Sequence, residues 1–171
     1  MKIISLIGFS GSGKTYFIIN AVKLLKLQLD YEVSCIKNVD QHNIDKEGKD
    51  SFEFTKAGAT YSIIKNQFNE HAFFFKSKLD IKEIIEWISK GPLKVDLIFI
   101  EGFRNLNYPT VLCVKNFKEI DQQLSENVRM ISGVFLSKNQ KHKEYKGIPI
   151  KSIRENFNEF LEIFDIPKKN V

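Results

Sequence analysis

Arginine is nearly absent from this chain: of 26 basic side chains only Arg104, Arg129 and Arg154 carry a guanidinium. A reader of nucleic-acid bases, or a lid that closes over two nucleotides during phosphoryl transfer, relies on that planar fork of donors. The formal charge of +5 is therefore read as a solvated surface of scattered lysines, with no nucleic-acid partner. Cysteine is rarer still. Cys35 and Cys113 lie in the apolar runs "YEVSCIK" and "TVLCVK", which predicts two buried, reduced thiols in an intracellular setting. Long apolar runs are missing too. The opening "MKIISLI" is too short for a signal peptide, and nothing approaches membrane-spanning length, so a soluble, cytoplasmic protein with no membrane partner is expected. Repeats, low-complexity tracts and linkers are also lacking. The 171 residues, 43% of them apolar, are read as one domain over 1–171, long enough to bury a core.

What the chain does have is "GFSGSGKT" at residues 8 to 15, between the β-type run 2–7 and a helix-compatible stretch reaching about Leu29. Gly8, four residues, Gly13, Lys14, Thr15 is the P-loop spacing in its strand-loop-helix context. Gly8, Gly11 and Gly13 let backbone N–H groups point inward with no side chain in a phosphate's way. The following helix adds unpaired donors and the positive end of its dipole. Lys14 brings an ammonium to terminal phosphates, and the Thr15 hydroxyl can ligate the Mg²⁺ that accompanies a nucleoside triphosphate. The alternative is a Gly/Ser-rich turn with a solvated lysine.

Further along, "YEVSCIK" (31–37) reads as a second strand completing a βαβ unit. The polar stretch "NVDQHNIDKEGKDS" follows, too long for a simple connection. Next come a short helix in "SFEFTKAGA" and two strands, "YSIIKN" and "AFFFK", joined by a turn at Phe68 to Glu70. Asp80 to Lys90 has helical spacing, with Asp80 and Glu83 as a capping box and Gly91-Pro92 as the stop. "VDLIFIEGF" reads as a central parallel strand covered on both faces, apolar from 95 to 100 except at Asp96. It delivers Glu101 to the strand's C-terminal end, where α/β sheets bind ligands. A carboxylate there can hold Mg²⁺ through water or orient an attacking water, or else be simply an exposed strand-end glutamate. "PTVLCVK", "MISGVFLS" and "GIPI" suggest further strands. Ser152 with Glu155 would open a last helix whose apolar face carries Ile153, Phe157, Phe160, Leu161 and Phe164. The expected fold is α/β: a mainly parallel sheet flanked by helices, the P-loop nucleotide-binding architecture, with "AFFFK" as a hairpin outside the strand order.

Three stretches taken together, "GFSGSGKT", "IDKEGKDSFEFTKAGA" and "DLIFIEGF", resemble the molybdopterin-guanine dinucleotide biosynthesis protein B (MobB) family, with similarity from residue 1 to about 115 and more loosely through "GIPIKSIRENFNEFLEIF". The resemblance implies a GTP-binding adapter, homodimeric, acting beside the guanylyltransferase that attaches GMP to molybdopterin, with slow hydrolysis at most. It implies that Gly8, Gly13, Lys14 and Thr15 hold the triphosphate and Mg²⁺. It also implies a second motif at Asp45, Gly48, Lys49, Asp50 and Ser51, and a third at Glu101, Gly102 and Phe103. The candidate site is then Lys14, Glu101 and Asp50 for chemistry and Thr15, Glu101 and Asp50 for Mg²⁺. Gly8, Gly11, Ser12, Gly13, Lys14, Thr15, Tyr16, Asp45, Lys49, Ser51, Gly102 and Arg104 contact the nucleotide. For Asp50 a local role stands beside the functional one, as cap of the short helix with Glu53 answering.

The chain departs from the family pattern in three places. Lys37-Asn38 stands where family members usually carry Lys-His, leaving His42 as the nearest histidine, and one histidine with Asp40 and Asp45 falls short of a metal site. Arg104 replaces the usual lysine after "EGF" and is either a phosphate contact or a solvated rim residue. The late segment "SKNQ" (137–140) has a lysine but lacks the aspartate that reads guanine N1 and N2 in many GTP-binding P-loop proteins. The competing function is an ATP-dependent kinase of a small molecule or nucleoside phosphate. The aromatic "AFFFK" strand is either a core strand or an edge for pairing with a second copy.

Overall fold

A computed structural model of the chain describes residues 1–137 and 142–169. In chain order its elements are β1 (Lys2–Ile7), α1 (Lys14–Leu29), β2 (Val33–Lys37), α2 (Asp50–Lys56), β3 (Ser62–Lys65), β4 (His71–Phe74) and α3 (Ile81–Lys90). Then come β5 (Leu97–Glu101), β6 (Thr110–Cys113), α4 (Glu119–Gln123), β7 (Val128–Ser132), β8 (Glu144–Tyr145), β9 (Ile148–Pro149) and α5 (Phe157–Ile163). The chain divides into two compact units, Met1–Asn38 with Pro92–Val171, and Val39–Gly91.

The first unit is built on a five-stranded sheet in the order β2-β5-β1-β6-β7. Its strand pairs run parallel. Winding reverses at β1, which lies between β5 and β6, so a crevice opens past the C-terminal ends of β1 and its neighbours. β5 is buried at every residue, as its unbroken apolar run requires. Successive strand residues alternate between two cores. Leu6, Phe99, Val111, Cys113 and Met130 pack with Phe17, Leu25, Phe160 and Phe164 of α1 and the α5 end. Ile7, Leu112, Val114 and Ile131 face the other way, onto Ile120, Phe135 and Ile150. Phe17 and Phe160 meet edge-on with ring centroids 5.8 Å apart, a geometry worth about 1 kcal/mol beyond the buried area.

The last helix begins later than its sequence suggests. Ser152 and Glu155 do not cap it; residues 152–156 form a separate turn closed by the Asn156 N–H on Ser152 O at 2.9 Å. α5 then starts behind Asn156. The five apolar side chains assigned to its face are all buried nonetheless, because the turn carries Ile153 into the same core. "MISGVFLS" is also divided: β7 ends at Ser132, and Val134–Ser137 form a 3-10 turn. "GIPI" pairs antiparallel with β8, and Ile150 bridges in parallel to Ile131.

Within the second unit β3 and β4 form the expected antiparallel hairpin, Ser62 opposite Phe74 and Lys65 opposite His71. Phe75 packs against Tyr61 and Trp87. α3 has the capping box read from the sequence, Asp80 accepting from the Glu83 N–H and Glu83 from the Asp80 N–H. β4 is no core strand. Ile63, Phe68 and Phe73 are exposed by 56%, 73% and 49% in the unit that holds them.

Asp96, the polar residue before β5, has a structural purpose. Its Oδ2 accepts from the Glu32 N–H at 2.9 Å and from Lys169 at 2.6 Å. Desolvation works against the charge, but the Glu32 N–H and Lys169 outweigh it and hold the carboxyl down to about 2. A carboxyl depressed below its unfolded value of about 3.9 stabilises the fold above that pH and loses this contribution as pH falls toward 2. Asp96→Asn is therefore expected to be less stable than wild type at neutral pH, with the gap closing between about pH 4 and pH 2. Thermal melts across that range check it, and a gap independent of pH would contradict the assignment.

Candidate functional site

The glycine loop leaves β1 beside the neighbouring strand β6. Gly8 has φ +147°, and a Cβ there would lie 2.2 Å from Cys113 O, so only glycine lets the loop pass this backbone. At Gly13, the N-cap of α1, φ is +96° and no side chain caps the helix. The first N–H groups of a 16-residue helix thus face the loop's interior without a side-chain acceptor. Ser12 is fully buried, and its hydroxyl has no partner among the described residues. A buried orphan hydroxyl beside unpaired amides fits an anion as the missing acceptor.

Lys14 folds back over this cradle. Its ammonium donates to Gly8 O at 2.9 Å and Phe9 O at 3.1 Å, so loop carbonyls hold the cation at the concave side. Thr15, next along α1, donates its hydroxyl toward Glu101, 3.1 Å from each carboxylate oxygen. Parallel pairing of β1 with β5 sets Leu6 opposite Glu101, which brings the two motifs to one sheet edge. Glu101 is 7% exposed. A second charge meets it from β2, whose register sets Lys37 opposite Glu101 and places the ammonium 3.6 Å from Oε1. Sequence reasoning noted Lys37 only as half of an altered Lys-His pair. Its alignment with Glu101 needs the strand order, which spacing along the chain does not contain.

Gly102 turns the chain away at φ +92°, its Cβ position 3.3 Å from the Asn38 side chain. Arg104 then returns toward the loop. It donates to Gln123 Oε1 at 3.0 Å and lies 5.2 Å over the Phe9 ring. It is thus neither a free rim residue nor shown as a phosphate contact; it is tethered beside the glycine loop by a partner on α4. Tyr16 lies on the other flank, where its hydroxyl accepts from Arg154 at 3.1 Å.

Gly133 was not singled out from the sequence. A Cβ there would fall 2.3 Å from Val114 O and 2.8 Å from Ser12 O. This lets the Val134 N–H donate to Ser12 O at 3.1 Å, so the end of β7 buttresses the loop. Two glycines separated by 120 residues of chain but facing one loop leave no local signal; the only hint was a glycine directly after an apolar strand.

The second motif belongs to the other unit. There Asp45 Oδ1 accepts from the Ser51 hydroxyl at 2.8 Å, and Oδ2 is buried without a partner. Asp50 does not cap α2. The N-cap is Lys49, with extended backbone at φ −95° and ψ 149° and no side-chain cap bond, while Asp50 is already the first helical residue. The Asp50–Glu53 capping pair is therefore not formed, because an N-cap must stand outside helical φ/ψ. Thr15 and Glu101 are brought together, whereas Asp50 is described within its own unit. No group of three or more metal-ligating side chains occurs among the described residues. One hydroxyl and one carboxylate suit Mg²⁺, which keeps most of its shell as water and phosphate oxygens.

The cysteines divide. Cys113 is buried under the loop, and burial pushes its thiol up to about 12. Cys35 is exposed, contrary to expectation, because β2 is an edge strand. Partial desolvation and then the Glu101 carboxylate push its thiol up as well. Lys138, Asn139 and Gln140 of "SKNQ" lie outside the described residues. No described helix is long and apolar enough to cross a membrane.

Comparison with known proteins adds three findings. The sequence profile of the family described as "Molybdopterin guanine dinucleotide synthesis protein B" matches residues 3–135. The Haemophilus influenzae molybdopterin-guanine dinucleotide biosynthesis adapter protein is 28% identical over 131 residues, 71% of each chain. A Methanocaldococcus jannaschii protein provisionally given the same adapter name is 27% identical over 136 residues, 77% of this chain and 54% of that one. The chain thus spans about half the length of that relative. The crystal structure of Bacillus subtilis MobB shares the fold with a TM-score of 0.76 at 23% identity, covering 98% of this chain and 100% of the other.

Proposed function

This chain belongs to the molybdopterin guanine dinucleotide synthesis protein B family, and on that footing we propose that it is a GTP-binding adapter of molybdenum-cofactor guanylylation with slow hydrolysis of its own. The observation that carries the reading is the meeting of Thr15 with Glu101 at 3.1 Å beside a helix start without a side-chain cap and a buried Ser12 hydroxyl without a partner among the described residues. In this reading Lys14 leaves the Gly8 and Phe9 carbonyls for the terminal phosphate oxygens, and the loop amides and α1 terminus take the others. Thr15 and Glu101 would hold Mg²⁺ directly or through water, and the ion would supply charge neutralisation at the β and γ oxygens. Glu101 is screened by Lys37 and kept from bulk water, so its orientation is preset before the nucleotide arrives.

Slow turnover follows from how the arginines are committed. Arg104 is engaged by Gln123 and Phe9, and Arg154 by Tyr16. No guanidinium is left aimed at the loop from these two residues, and a partner would have to supply one for fast hydrolysis. The partner proposed is the guanylyltransferase that makes the guanine dinucleotide. A homodimer through the β3–β4 hairpin is proposed as well, supported by the exposed Ile63, Phe68 and Phe73; a monomer on size exclusion at every concentration would remove that part.

The deciding experiment is competition of GTP, ATP and GDP against a fluorescent GTP analogue with Mg²⁺. Preference for GTP is expected. Preference for ATP, with ADP release stimulated by an added acceptor, would replace this reading with a kinase; absence of any nucleotide binding would end both.

A further inference from the structure

Beside the glycine loop the first unit opens a cleft of about 1010 Å³. Gly13, Tyr16, Gly133, Val134 and the turn 152–156 are among the residues that line it. It begins where the phosphate cradle ends, since Gly13 belongs to both. Tyr16 and Val134 are 55% and 44% exposed, large apolar surfaces left open on a ledge next to the loop. Such surfaces suit contact with a planar heterocycle.

The turn also contains a carboxylate with no local purpose. Had Glu155 closed a capping box with Ser152, its oxygens would be used by backbone amides. Instead α5 starts behind Asn156, and Asn156 reaches forward to Glu159 at 2.8 Å. Of the cations in and beside the turn, Lys151 is paired with Glu159 and Arg154 with Tyr16, while Lys143 also lines the cleft. Glu155 has no hydrogen bond or ion pair with any described residue, and it lines the cleft.

Building on the nucleotide-binding reading above, we propose that this cleft is the base subsite and that Glu155 makes it specific for guanine. Guanine presents two adjacent donors, N1–H and N2–H, whose spacing matches the two oxygens of a carboxylate. Adenine presents the N1 lone pair and a C–H at those positions, so it would lose both bonds and set a lone pair against the charge. Glu155 thereby takes the part left vacant by "SKNQ", where the sequence has no aspartate, and does so from a different segment.

The test is competition binding on the full chain with Mg²⁺, comparing wild type, Glu155→Gln and Glu155→Ala. Glu155→Gln is expected to lose GTP affinity by about 10- to 100-fold relative to ATP. It should also gain affinity for xanthosine triphosphate, because the amide can accept from xanthine N1–H while donating to the C2 carbonyl. Glu155→Ala should lose the discrimination without that gain. Magnesium tripolyphosphate, which has no base, reads the phosphate cradle alone and should compete equally with all three proteins. A GTP preference unchanged in both variants overturns the base-subsite assignment and leaves the adapter reading in place. Wild type that binds GTP and ATP alike overturns it too, whereas wild type that binds neither nucleotide nor tripolyphosphate overturns the reading beneath it.

Discussion

Lys14→Ala is expected to weaken binding of magnesium GTP by about 100-fold or more, corresponding to two charge-assisted hydrogen bonds at roughly 1.5–3 kcal/mol each. In the structure the same ammonium bonds Gly8 O and Phe9 O. Both carbonyls lie on an open loop where water can replace the lost donor, so the fold should lose less than about 1 kcal/mol. The two readouts therefore separate. Isothermal titration or fluorescence competition should show the binding loss, while the thermal melt stays nearly in place. An affinity within a few-fold of wild type would mean the ammonium does not reach the phosphates, and the loop would revert to a glycine-rich turn. Lys14→Arg should not restore binding fully, since a planar fork is larger than the compact ammonium seated between those carbonyls.

Gly133→Ala should be, with Gly8→Ala, among the most damaging single methyls in the site. The added carbon would meet Val114 O at 2.3 Å and Val114 N at 2.5 Å, all backbone atoms of a central strand's exit, at a φ of +124° that side chains avoid. Overpacking against backbone together with left-handed strain is expected to cost about 2–4 kcal/mol of unfolding free energy. Gly147→Ala is the control: φ is +76°, but nothing lies within 4 Å of the new Cβ, so only the strain remains, about 1–2 kcal/mol. Urea unfolding of the two variants measures the difference. Nucleotide affinity should fall only for Gly133→Ala, because displacing Val134 breaks its bond to Ser12 O and loosens the cradle. Equal losses from both substitutions would show that the close approach of β7 to the loop carries no energy.

Where the sequence could be read, a short-range pattern was enough. The loop 8–15 with its flanking strand and helix, the capping box at Asp80 and Glu83, and the buried run ending at Glu101 each depend on residues within one turn or one strand of each other. The hairpin at 62–74 was visible for the same reason. Readings failed where two local solutions competed. Ser152 and Glu155 fit a capping box, and Asp50 and Glu53 fit another. In each case the helix starts elsewhere, after Asn156 and after Lys49, with neither start capped by a side chain. Burial of Cys35 was inferred from an apolar run, yet an edge strand exposes residues that the same run would bury in a central one.

By itself, then, the sequence determined the glycine-rich loop between a strand and a helix, the alternation of strands and helices, and the carboxylate at a strand end, because glycine tolerance, hydrophobic periodicity and an apolar strand run are properties of neighbouring residues. Only the tertiary structure decided what faces that loop. Setting Lys37 and Leu6 opposite Glu101 requires the order β2-β5-β1. Seating Gly133 on Ser12, and leaving Glu155 on the cleft without a partner among the described residues, requires β7 and the turn before α5 to arrive at the same edge from more than a hundred residues away. Such contacts are made by the winding of the sheet, and the free energy that holds them is spread over two cores that no single stretch of sequence contains.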